Sequence, residues 1–382
     1  MQITDIEPVV IHVNQRGDWI CLLVHTDAGI TGLGEASHSS NDALLLDLLA
    51  RIKPRLIGQS ALNIHALWQK LAHIDAGRVG QTLLSGIEMA LWDVFGQTVG
   101  QPIHALLGGA LRTRLRLYAN INRHVRGRTP AEFATAARQA VDQGFTAIKL
   151  APFDELGTQN HIRTGPKAAW RAGVDRVRAV RHAIGDAVEL AVDCHSRMEQ
   201  SEAIMVGREL AECNLFWYEE PVHHSLPAEL AAVTQAVPMP TASAESLFGM
   251  EAFRPFFERH VVDVIMPDVK HAGGLLETKN IGEAARLNQL LVAPHNPSGP
   301  VASVASGHVC ASLRNFYILE YAWGEVDWRA QLLEPAEQIV DGHLLLSDAP
   351  GLGHRLNMAT VDAHRRQQAS AANSAKVQFP NP

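Results

Sequence analysis

Leu190-Ala191-Val192-Asp193, Phe216-Trp217-Tyr218-Glu219 and Thr241-Ala242-Ser243-Ala244-Glu245 are three short apolar runs, each followed by a carboxylate, and the three carboxylates are spaced 26 residues apart. Working outward, the same unit recurs. Leu117-Tyr118-Ala119 and Ala147-Ile148-Lys149-Leu150 precede these runs, and Val264-Ile265-Met266, Leu291-Val292-Ala293 and Ile318-Leu319 follow them, with long helical stretches between. Continuous apolar runs are strands buried on both faces, and their alternation with helices indicates a parallel sheet. A count of eight predicts an α/β protein built as a (β/α)8 (TIM-type) barrel rather than an open doubly wound sheet.

Upstream of the barrel the pattern differs. Trp19-Ile20-Cys21-Leu22-Leu23-Val24 runs into Thr26-Asp27-Ala28-Gly29, the turn chemistry of a hairpin, and from Asp42 to about Gly108 the apolar period becomes helical. The reading is therefore an α+β capping domain over residues 1–115, the barrel over 116–350, and a C-terminal segment over 351–382 that returns toward the cap and frays from about Asn373.

In a barrel of this kind chemistry gathers at the C-terminal strand ends, where Asp193, Glu219 and Glu245 stand. One such acid alone is usually a helix cap or a solvated charge. Three converging carboxylates repel by about 4 kcal/mol per pair at roughly 4 Å and an effective dielectric of about 20, so together they call for a cation. Oxygen ligands around a site left open for substrate suit one Mg²⁺, which would polarise a substrate carboxylate and ease removal of its α-proton. Other strand ends supply proton-moving groups: Lys149 on the second, Asp268 and Lys270 on the sixth, His295 on the seventh and Glu320 on the eighth. Asp268 and His295 lie one βα step apart, which makes them a dyad in which the acid sets the tautomer of the base.

Composition narrows the partners. With 47% hydrophobic and 19% charged residues, a net charge of −7 and no basic stripe, the chain reads as an enzyme for a small molecule, with no nucleic acid and no membrane partner. Residues 1–15 carry no export signal, so the cytoplasm is expected. Cys21, Cys194, Cys213 and Cys310 form no CxxC pair and no zinc spacing, and read as reduced structural thiols.

These residues resemble the mandelate racemase subgroup of the enolase superfamily. The resemblance spans nearly the whole chain, from Gly29-Ile30-Thr31-Gly32-Leu33-Gly34-Glu35 through Ala90-Leu91-Trp92-Asp93 and Leu106-Leu107-Gly108-Gly109 to Asp341-Gly342-His343 and Pro350-Gly351-Leu352-Gly353. It implies that Asp193, Glu219 and Glu245 are metal ligands, that Asp268 and His295 are the dyad, and that Glu320 hydrogen-bonds a substrate carboxylate oxygen. It also implies a symmetric homo-oligomer, often an octamer. Where racemases of the family carry Lys-x-Lys, this chain reads Lys149-Leu150-Ala151, so the second lysine is missing and Lys149 is left to neutralise the substrate carboxylate. Asp193-Cys194-His195 is similar instead to acid-sugar dehydratases, in which such a histidine protonates the departing hydroxide, and His195 is the candidate general acid. The stretches 147–154, 266–270 and 294–300 look most like cis-3-hydroxy-L-proline dehydratases, which brings Lys270 close to substrate as a proton acceptor, its pKa lowered by Lys149 or the metal. Trp19 and His38, on the hairpin and on the loop Ser37-His38-Ser39-Ser40-Asn41, would then close over the barrel mouth as substrate-binding residues. The expected activity is a Mg²⁺-dependent hydro-lyase acting on a β-hydroxy carboxylate, either cis-3-hydroxy-L-proline or an acid sugar. A racemase or epimerase, and a catalytically silent sugar-acid sensor, are the alternatives.

Overall fold

Backbone pairing closes the eight expected strands into a barrel in the computed structural model, which describes residues 1–14, 17–38, 41–74, 76–122, 125–159, 162–164 and 169–366. In chain order the barrel strands are Arg114–Asn120, Ala147–Leu150, Glu189–Asp193, Trp217–Glu219, Thr241–Ser243, Val264–Ile265, Leu291–Val292 and Leu319–Ala322. Each pairs in parallel with the next, from Ala119↔Ile148 and Lys149↔Ala191 to Val264↔Leu291. A parallel bridge between Val292 and Phe316, followed by pairing of Glu320 with Tyr118, closes the circle. The barrel interior is filled where Tyr118, Trp217, Met266 and Ile318 meet, with Ala147, Ala191, Ala242 and Ala293 between them. Large and small side chains thus share a ring too narrow for eight large ones.

The cap is an antiparallel sheet of Ile3–Asn14, Gly17–Thr26 and Thr31–Glu35 packed on the long helix Gly77–Val99, with the helices Asp42–Leu56 and Ile64–Ala72 alongside. The turn expected at Asp27–Gly29 is present, Gly29 taking φ +76°. Gly32 and Gly34 let strand and helix touch backbone to backbone, since a Cβ on either would lie 2.1 Å from the carbonyl oxygens of Ala90 and Gly86 respectively. After the barrel the chain returns to the cap: Arg366 N donates to the Val10 carbonyl at 3.0 Å. Residues 367–382, including the segment from Asn373, lie outside the described residues, as do Ser39 and Ser40 of the loop that carries His38.

Three buried carboxylates of the cap hold it to the rest of the chain. Glu35 accepts the backbone N–H groups of Gly299 and Ala302, both at 2.9 Å, at the start of helix Pro300–Ser312. Glu88 accepts those of Leu275 and Leu276, at 2.8 and 3.2 Å, at the start of helix Leu275–Leu287. Asp93 accepts Leu352 N–H at 2.7 Å and, within the cap, Leu33 N–H at 2.8 Å. The first N–H groups of a helix have no partner within it, so an acid from a neighbouring element satisfies them and meets the positive end of the helix dipole. Among the described residues no helix is long and apolar enough to cross a membrane. All four cysteines are buried and unpaired.

Candidate active site

The third, fourth and fifth barrel strands deliver Asp193, Glu219 and Glu245 to one point, with a carboxylate oxygen of each within 4.8 Å of the others. Left-handed backbone follows each strand: His195 (φ 46°), Ser196 (φ 57°), Glu220 (φ 41°) and Ala244 (φ 84°). Residues with side chains are costly there, and clustered strain of this kind marks a site held by its surroundings.

The electrostatics of the triad fit a divalent cation. Glu245 Oε2 is buried and accepts no hydrogen bond, although His295 Nε2 lies 3.4 Å away. Burial pushes the Glu219 carboxyl well above the usual range, and the neighbouring acids Asp193 and Glu245 add to this. Glu245 is raised for the same reasons, burial first and then Asp193. A cation among hard oxygen donors would relieve both the repulsion and the orphaned acceptor.

Two histidines stand at two corners of the triad. His195 contacts Asp193 Oδ2 through Nε2 at 2.9 Å and Asp154 Oδ1 through Nδ1 at 2.5 Å. Burial opposes its charge, but Asp193 and Asp154 outweigh this and hold its pKa well above the ordinary histidine value. At the Glu245 corner, His295 Nδ1 lies 2.7 Å from Asp268 Oδ2, which brings the predicted dyad together. Asp268 is held far below the usual carboxylate range, burial being overcome by Lys270 first and by the hydrogen bond from His295.

The two lysines have different partners. Lys149 is fully buried, its Nζ 2.7 Å from Glu219 Oε1, 3.0 Å from Glu320 Oε1 and 3.8 Å from Asp193 Oδ2. Burial works against its charge, but Glu219 and Glu320 hold its pKa well above normal. Lys149 therefore stays protonated between carboxylates of the protein, with Glu219 and Glu320 as its nearest partners. Lys270 has partners of its own, with Nζ 3.6 Å from Asp268 Oδ2 and 3.3 Å from His271 Nε2. Glu320 is engaged on both oxygens: Oε1 accepts from Asn120 Nδ2 at 2.7 Å and Oε2 from Asn296 N–H at 2.8 Å. Its carboxyl stays ionised, since Lys149 and His295 outweigh the effect of burial. Toward a ligand it can only accept.

Of the two residues expected to close over the mouth, Trp19 is 3% exposed and packs edge-on against Trp328 with ring centroids 5.2 Å apart. This contact joins the cap sheet to the segment after the last barrel strand. His38 is half-buried, its ring 5.9 Å from that of His271.

Sequence reading missed two acids. Glu220 accepts from Ser196 Oγ at 2.8 Å, Ser243 Oγ at 2.6 Å and Ala244 N–H at 3.0 Å, and so staples the ends of the three ligand-bearing strands together. The doublet Glu219-Glu220 was its only signal. Asp154 orients His195 from the loop after the second strand, where nothing local distinguishes it from a solvated charge.

Residues 132–360 match the family described as Enolase C-terminal domain-like, and residues 2–108 match the Mandelate racemase / muconate lactonizing enzyme, N-terminal domain. The chain is 31% identical over 373 residues to the D-xylonate dehydratase of Haloferax volcanii, covering 95% of this chain and 89% of that one. It is also 31% identical over 352 residues to the D-galactonate dehydratase of Verminephrobacter eiseniae, covering 90% of each. Among solved structures, a mandelate racemase/muconate lactonizing enzyme-like protein from Rubrobacter xylanophilus superposes with a TM-score of 0.88 at 33% identity, over 96% of this chain and 98% of that one. The chain belongs to the enolase superfamily, with the N- and C-terminal domains of its mandelate racemase and muconate lactonizing enzyme family.

Proposed function

We propose that this chain is a Mg²⁺-dependent dehydratase of an acid sugar, working on a carboxylate that carries hydroxyls at Cα and Cβ. The observation that carries the reading is a carboxylate triad with a differently partnered histidine at each of two corners: His295 backed by Asp268, and His195 backed by Asp154. Asp193, Glu219 and Glu245 would hold the ion, which when bound supplies a positive charge that polarises the substrate carboxylate and lowers the cost of the charge left by α-proton departure. His295, its Nδ1–H donating to Asp268, offers Nε2 to take the proton from Cα. His195 delivers a proton to the Cβ hydroxyl as the C–O bond breaks, water leaves, and the enol tautomerises to a 2-keto acid. Bound in this way the substrate is a small hydroxy acid, and the boundaries 1–115, 116–350 and 351–382 are our division of the chain into cap, barrel and returning segment.

The dehydratase names of the relatives support elimination, and so does the confinement of Lys149, which removes the obvious second base for racemisation. The test is a panel of aldonates with cis-3-hydroxy-L-proline, the latter included because Lys270 stands beside the dyad. Keto-acid formation is measured in D₂O with MgCl₂ or with EDTA. Keto acid that appears only with Mg²⁺ is expected. Deuterated starting material without keto acid would make the chain a racemase, and undiminished turnover in EDTA would remove the metal from the mechanism. His295→Asn should abolish α-proton exchange, and retained exchange would take the base assignment away from the dyad.

A further inference from the structure

One face of the capping helix Gly77–Val99 docks on the loops after the fifth and sixth barrel strands. Arg78 Nη1 donates to Ser246 Oγ at 2.8 Å, one residue beyond Glu245. Gly273 N–H donates to Ser85 Oγ at 3.1 Å, and Glu88 takes the N–H groups of Leu275 and Leu276. Positions 78, 82, 85 and 88 recur at the spacing of one helical face. Between these anchors lies Thr82, whose fully buried side chain meets His271.

The hydrogen bonds at Thr82 have only one consistent direction. Its hydroxyl donates to the Arg78 carbonyl at 2.7 Å, which uses its single proton. Toward His271 Nδ1, 2.8 Å away, the oxygen is therefore an acceptor, and His271 must carry its proton on Nδ1. Nε2 is then a lone pair, and it faces Lys270 Nζ at 3.3 Å. The three protons of that ammonium have three acceptors: His271 Nε2, the Ser37 carbonyl at 3.5 Å and Asp268 Oδ2 at 3.6 Å. Asp268 in turn orients His295. Burial and the adjacent Lys270 also keep His271 neutral.

We propose that Thr82 is a positioning residue of the cap that fixes the tautomer of His271, and through it aims the Lys270 ammonium at Asp268 of the dyad. The opposite tautomer would turn an N–H toward an ammonium, donor against donor, and Lys270 would have to swing away from the dyad. The helix that helps cover the barrel mouth thus also sets the electrostatics of its base, without touching substrate. The effect on turnover rests on the reaction proposed above, whereas the arrangement of the relay does not.

The test compares the full-length wild type with Thr82→Val, which keeps shape but loses the acceptor, and Thr82→Ser, which restores it. Crystal structures of all three without substrate should show Lys270 Nζ beyond hydrogen-bond reach of His271 Nε2 in Thr82→Val alone. With the best aldonate, kcat should fall about tenfold in Thr82→Val, the scale of losing an outer-shell orienting partner, with KM unchanged, and Thr82→Ser should recover it. Should valine not be accommodated, Thr82→Ala makes the same comparison. Unmoved Lys270, or a serine variant no better than the valine variant, overturns the proposal. If no acid sugar is turned over, the structures still decide the relay, so its failure is separable from that of the dehydratase reading.

Discussion

Replacing Lys149 by Met tests the electrostatic account of the site most sharply. The ammonium lies 2.7 Å from Glu219 and 3.0 Å from Glu320, and all three side chains are shielded from water. At an effective dielectric of about 20, each contact is a gross attraction of about 6 kcal/mol, offset in part by the desolvation of the lysine itself. Removing one partner of a buried pair typically costs about 3–5 kcal/mol, because the acids left behind are uncompensated. In EDTA, Lys149→Met should therefore lose about that much in urea unfolding, or about 6–10 °C in Tm at roughly 2 °C per kcal/mol for a chain of this size. Saturating Mg²⁺ should recover at least half of the loss, since a dication among the acids takes over the missing charge. Adding Glu219→Gln in EDTA should also recover about 1–3 kcal/mol, because one of the stranded charges is gone. A loss below about 1 kcal/mol in EDTA, a Mg²⁺ effect equal to that on wild type, or strictly additive behaviour of the double variant would refute the reasoning.

Three other outcomes are expected. Glu245→Gln should remove most of the Mg²⁺-induced rise in Tm while leaving the Tm in EDTA unchanged or raised, because its Oε2 accepts no hydrogen bond in the protein; a preserved Mg²⁺ response would exclude Glu245 as a ligand. Gly34→Ala should destabilise by about 2–3 kcal/mol or more, as its Cβ would meet Gly86 O at 2.1 Å, whereas Gly29→Ala has open space and should cost only about 1–2 kcal/mol from its positive φ; equal urea midpoints would contradict the close docking of strand on helix. Burial pushes the Asp93 carboxyl from its ordinary 3.8 up to about 7. A raised folded-state pKa contributes stability that is complete below pH 3.8 and lost as pH climbs through about 7, about 4 kcal/mol over the interval, so the unfolding free energy of Asp93→Asn relative to wild type should improve from pH 5 to pH 8; a pH-independent difference would show that Asp93 is not raised.

The barrel was legible because a strand buried on both faces leaves an uninterrupted apolar run, and all eight runs became barrel strands. The triad was legible for a related reason, since the polar residue that ends such a run falls at the mouth. What escaped depends on docking between distant segments. Lys149 ends a strand as the resemblance leads one to expect, but only the assembled barrel shows Glu219 and Glu320 beside its ammonium. Glu220, one residue from a ligand, turns the other way and ties strands together. Trp19 sits on the expected hairpin, and Trp328, beyond the last barrel strand, packs on it. Glu35 and Asp93 were visible only as parts of matching stretches and Glu88 not at all, and their partners lie up to 267 residues away.

Those three cap acids bear on how such proteins can be recombined. Each acid and the amides it serves are two halves of one lock, and the halves belong to segments that a shuffled gene would separate. A cap without carboxylates at positions 35 and 88, joined to this barrel, would leave the amides of Gly299, Ala302, Leu275 and Leu276 buried against nothing. Exchange of the cap therefore requires that those carboxylates, or the first turns of the two barrel helices they serve, travel with it.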